Sequence, residues 1–100
     1  MSNTLFIDGS NLYGGMSELL PPDQYIEFSS LLKVIEKDFP VGEVKFYGTY
    51  MRIDPSKSVT YRLKVETQKA FFDSAKNCKK VFFSKGTFQV LARKRAWMFG

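Results

Sequence analysis

Histidine is absent from these 100 residues, and cysteine occurs once, at Cys78. The first absence removes His-based catalytic triads and His metal ligands together. The second removes an internal disulfide and any Cys-based zinc site. A metal would have to be held by oxygen, which suits Mg²⁺ or Mn²⁺. No apolar run approaches the ~20 residues that a membrane span needs, and no signal peptide precedes Leu5. The chain therefore reads as cytoplasmic, with no membrane partner. Internal repeats and low-complexity segments are missing too.

What is present is a core. Hydrophobic residues make up 44% of the chain and aromatics 16%, with ten Phe and five Tyr, so it can bury a hydrophobic interior. The length fits a single domain over 1–100, or a portion of one. Charge is divided unevenly. Residues 1–50 hold three Lys against seven acids, a net of −4, and residues 51–100 hold twelve Lys or Arg against three acids, a net of +9. A basic half favours a polyanion such as nucleic acid, although a solvated lysine-rich surface reads the same way. The densest basic stretch is Arg93-Lys94-Arg95.

The pattern predicts a strand over Asn3–Asp8, from the apolar run "TLFI", and a loop over Gly9–Pro22, from its three Gly and two Pro. Asp23 is a candidate cap for a helix over Gln24–Asp38, with Phe28, Leu31, Leu32, Ile35 and Phe39 on one face. Alternation over Glu43–Met51 predicts a second strand. Ser58 is a candidate cap for a long helix over Val59–Asn77, whose face would carry Tyr61, Val65, Phe72 and Ala75. Lys79–Ser84 reads as a third strand. The run "TFQVLAR" reads as a fourth, paired with the third as a hairpin. Strand, helix, strand, helix, strand implies α/β architecture: a mainly parallel sheet with right-handed crossovers, flanked by helices. In such sheets ligands sit beyond the carboxyl ends of the strands, where Asp8 falls.

"DGSNLYGG" can support several chemistries. Gly9 and Gly14 bracket four residues as in a phosphate-binding loop, but Gly15 and Met16 replace the Lys and Ser/Thr that should follow. A phosphoaspartate nucleophile would want a second acid where Ser10 stands. A flavodoxin-type site would want a Ser/Thr-rich phosphate grip. Two readings then stand level. In one, Asp8 ligates a metal while Ser10 or Asn11 orients its water or a phosphate oxygen. In the other, Asp8 caps a turn.

"FIDGSNLY", Phe6 to Tyr13, resembles the opening of the NYN domains, the LabA-like branch of the PIN-type nucleases. The order of "EVKFYGTYM", "YRLKVETQKAFFDSAKN" and "VFFSKGTFQVLAR" is similar to the family's later elements. The resemblance implies a Rossmann-like (PIN-like) mainly parallel sheet, whole or in part, and RNA cleavage with Mg²⁺ or Mn²⁺. It makes Asp8 a catalytic metal-binding carboxylate and Asn11 its polar support. Ser10, Arg93, Lys94 and Arg95 become RNA contacts. The chain departs from the family in the acids that normally follow. Neither the Lys-Gly-Val-Asp nor the Ser-Gly-Asp-x-Asp segment is present, so the match is to an amino-terminal portion. Asp54 and Asp73 read as surface charges, and Glu66 is the acid to watch as a replacement.

The leading expectation is thus a metal-dependent ribonuclease of NYN type, or a portion of one. The rival is a non-catalytic RNA-binding or assembly module, a homo-oligomer whose exposed end "AWMFG" seeks a partner.

Overall fold

The computed structural model of the protein describes residues 3–52, 54–85 and 98–99. Its elements run β1 (Asn3–Asp8), α1 (Gly9–Leu19), α2 (Phe28–Glu36), β2 (Val41–Gly48), α3 (Val59–Lys76), β3 (Val81–Lys85) and β4 (Met98–Phe99). The four strands form one sheet in the order β3-β2-β1-β4. Every pairing is parallel, with Asp8 opposite Tyr47 and Phe46 opposite Phe83. This is the small, incomplete Rossmann-like α/β arrangement that the alternation of elements predicts. Among the described residues, no helix is long and apolar enough to cross a membrane.

Alternation along the strands selects the core. Leu5 and Ile7 of β1 and Val44 and Phe46 of β2 are buried on one face, and the helices pack there. Phe46 is the hub. It meets Phe28 of α2 edge-on, with ring centroids 5.4 Å apart, and Phe72 of α3 at 5.5 Å, and it stacks on Phe83 of β3 at 5.6 Å. A buried Phe side chain contributes roughly 1.5–3 kcal/mol, and each well-set ring pair adds about 0.5–1.5 kcal/mol. Phe28, Phe46, Phe71 and Phe72 are fully buried, whereas Phe39 and Phe82 stand exposed.

Glycine lets the layers close at two points. A Cβ on Gly48 would lie 2.8 Å from the Phe72 ring, and one on Gly9 would run into the Phe46 ring and sit 3.0 Å from the Tyr47 carbonyl. Glycine at both sites allows helix and sheet to touch.

The segment expected to be a loop, Gly9–Pro22, is mostly helix. α1 starts immediately after β1 because Asp8 caps it, and Tyr13 and Met16 give it a buried face. The Tyr13 hydroxyl donates to the Lys64 carbonyl at 3.0 Å and ties α1 to α3. These anchors outweigh the cost of glycine in a helix, about 1 kcal/mol each. α2 is shorter than predicted. Asp23 lies in a turn, and Glu27 precedes the helix without a side-chain cap. Instead, the first free N–H, on Phe28, donates to the Ser74 hydroxyl of α3 at 3.0 Å. Phe39 lies past the helix end and is 56% exposed.

α3 forms as its signals indicate, with Ser58 accepting from the Tyr61 N–H and Asn77 as C-cap. Val65, Phe72 and Ala75 are buried, and Tyr61 is half-buried. The hairpin expected from "TFQVLAR" lies outside the described residues. The fourth described strand is Met98–Phe99, whose backbone pairs with Phe6 and Ile7, so this part of "AWMFG" has a place in the sheet.

Candidate functional site at the carboxyl edge of the sheet

β2 and β3 lie on one side of β1, and β4 lies on the other. The strand order therefore reverses at β1, and the crevice outside the carboxyl end of such a strand is the usual ligand position of an open α/β sheet. Asp8 ends β1, half-buried, with extended backbone.

Its carboxylate faces the first turn of α1. Oδ1 accepts the Asn11 N–H at 3.2 Å, and Oδ2 accepts the Asn11 side-chain amide at 2.9 Å. The first bond satisfies one of the free N–H groups of a helix start, and the negative charge suits the positive end of the helix dipole. Ser10 is committed elsewhere. Its hydroxyl accepts the Thr49 N–H at 2.9 Å and donates to the Thr49 carbonyl at 3.3 Å, fastening the start of α1 to the end of β2. The structure thus brings Asp8, Ser10 and Asn11 together at one edge. Arg93, Lys94 and Arg95 lie outside the described residues.

The other acids do not join them. Glu66 and Asp73 are exposed on α3. Asp54 is held by Ser56, whose N–H and hydroxyl reach its Oδ1 at 3.0 and 2.7 Å, and these bonds keep the Asp54 carboxyl below its ordinary range. Among the described residues, no three His, Cys, Asp or Glu side chains gather where they could hold a metal. A divalent ion such as Mg²⁺ prefers several oxygen ligands. One carboxylate with both oxygens already engaged by Asn11 does not fit it unaided.

No family model, curated protein or solved structure matches this chain.

The same edge carries positive charge that the sequence pattern did not single out. Arg52 and Lys57 stand exposed in the connection from β2 to α3, and Lys85 ends β3, also exposed. The loop that bears Arg52 is anchored, since the Tyr61 hydroxyl donates to the Arg52 carbonyl at 2.9 Å. Beside it, the Lys76 ammonium donates to the Tyr50 hydroxyl at 2.6 Å and lies 4.5 Å from the Phe83 ring centre. The Lys85 ammonium lies 5.7 Å from the centre of the Tyr50 ring. Two ammonium groups thus share one aromatic ring at the end of β2. Strand-end position was the available signal for Lys85; the clustering at Tyr50 depends on packing between distant segments.

Proposed function

We propose that this chain handles RNA as a domain of NYN type, with the RNA backbone lying along the carboxyl edge of the sheet. The observation that carries the reading is the sharing of that edge by Asp8, at the reversal of strand order, and the cations Arg52, Lys57 and Lys85. Phosphate backbones are bound largely by such Lys and Arg groups. Arg93, Lys94 and Arg95 would attract the RNA backbone by their charge. We place the protein in the cytoplasm.

For the chain by itself, the engaged state of Asp8 favours binding without cleavage. The nuclease version is favoured by the position of Asp8. It requires further carboxylates beside Asp8, from a second copy of the chain or from other residues, to hold Mg²⁺ or Mn²⁺. Bound there, the ion would supply an activated water for phosphodiester hydrolysis. Asp8 would be one ligand, and Asn11 would orient it.

The test uses labelled single-stranded RNA with Mn²⁺ or with EDTA, beside Asp8→Asn. Retained binding without cleavage by either protein supports the binding module. Cleavage that needs both the metal and Asp8 supports the ribonuclease. A chain that neither binds nor cuts RNA overturns both.

A further inference from the structure

Residues 1–32 contain four acids and no Lys or Arg, in a chain whose net charge is +5. The fold gathers this segment around an apolar groove of about 500 Å³. Leu12, Met16 and Leu19 of α1 form one wall, and Ile26 and Leu31 form the other, with Asn11 as the polar end. Leu19 is 85% exposed and Ile26 41% exposed, so large apolar side chains stand in water at its mouth. The groove is held in shape, because the Ile26 N–H donates to the Met16 sulfur at 3.3 Å.

Two acids of the segment stand beside these walls: Glu18 lies two helical turns beyond Asn11 on the same flank of α1, and Asp23 lies in the turn before Ile26. Among the described residues, the ion pair is Lys80–Glu36, and neither Glu18 nor Asp23 has a cationic partner.

We propose that this groove binds the apolar face of a basic amphipathic segment of another protein. Apolar walls with one polar end ask for an apolar helix face, the usual occupant of such grooves. The acidic border asks for Lys or Arg on the flanks of that helix, since complementary potentials steer association and select partners. RNA is repelled by the same border. A second copy docked symmetrically through this face would set acid against acid, which disfavours it. The groove meets the carboxyl edge at Asn11, but its apolar walls lie away from Arg52, Lys57 and Lys85 and do not depend on the RNA reading.

The probe is a fluorescent Leu–Lys amphipathic peptide about five turns long, titrated into the full chain, beside a Leu–Glu peptide with the same apolar face. The Leu–Lys peptide should bind, and the Leu–Glu peptide should bind at least tenfold more weakly. Leu19→Gln combined with Ile26→Gln should weaken Leu–Lys binding about tenfold while leaving the melting temperature unchanged, because both side chains are exposed. Glu18→Lys combined with Asp23→Lys should weaken it independently. Equal binding by wild type and the Gln variant, equal binding of the two peptides, or no binding overturns the proposal. So does self-association of the chain that the Gln variant abolishes, which would make the occupant a second copy.

Discussion

At Asp8 the cap and the candidate ligand are the same carboxylate, and substitution can separate the two roles. Asn keeps an oxygen for the Asn11 N–H and is as good an N-cap as Asp, whereas Ala offers none. Asp8→Asn should therefore leave thermal stability nearly unchanged, and Asp8→Ala should cost about 1 kcal/mol, measured by denaturant unfolding. A loss of RNA cleavage in Asp8→Asn would then report on chemistry rather than folding. Tyr13 offers a second test. Burial raises its phenol above the ordinary value. The protonated phenol's contribution is thus fully present below about pH 10 and is lost as pH rises through the folded-state value. Unfolding free energy should fall more steeply above pH 10 in wild type than in Tyr13→Phe. At neutral pH the variant should be less stable by about 1 kcal/mol, the worth of the hydrogen bond to Lys64.

At the scale of elements, α1 separates glycines by what surrounds them. Gly14 and Gly15 have nothing within 4 Å of an added Cβ, whereas Gly9 faces the Phe46 ring. Gly14→Ala and Gly15→Ala should each stabilise the protein by roughly 0.5–1 kcal/mol, because alanine loses less backbone entropy in a helix. Gly9→Ala should destabilise it, since the ring and the Tyr47 carbonyl must move. Melting temperatures that shift in the same direction for all three would refute this account of α1. The same glycines explain why α1 was hidden in the sequence. Three Gly and two Pro outvoted the spacing Asp8-x-x-Asn11, which is the cap signal, and the apolar pair Tyr13 and Met16. β1 was legible from an apolar run ended by Asp8, and α3 because a capping Ser58 and a long stretch free of Gly and Pro outweigh the strand-like alternation of Val59, Tyr61, Leu63 and Val65. The start of α2 could not be read locally, because Ser74, a residue of another helix, satisfies its first N–H. Asp8 as a candidate site residue followed from the end of its strand, but the fastening of Ser10 to Thr49 depends on how two strands sit side by side.

For the whole molecule, the division of charge has a spatial counterpart. Glu18 and Asp23 of the acidic first third stand beside the α1 groove, and cations of the later segments stand at the carboxyl edge. On the proposed RNA reading, a strand approaching this surface would be pushed from the groove and drawn to the ends of β2 and β3. Backbone binding of this kind releases counterions, so affinity should fall with added salt at a slope of about −0.7 per phosphate contacted on a single strand. Arg52, Lys57 and Lys85 are exposed, so replacing all three with Ala should leave the fold intact. The triple variant should bind single-stranded RNA more weakly and with a shallower salt slope, by up to about 2 in log–log units, similarly for different RNA sequences. Fluorescence anisotropy over a range of KCl concentrations measures both quantities. A slope and affinity equal to wild type would place the RNA on another surface, and the carboxyl edge would then be left with the cap at Asp8 and the latch at Ser10 as its structural roles.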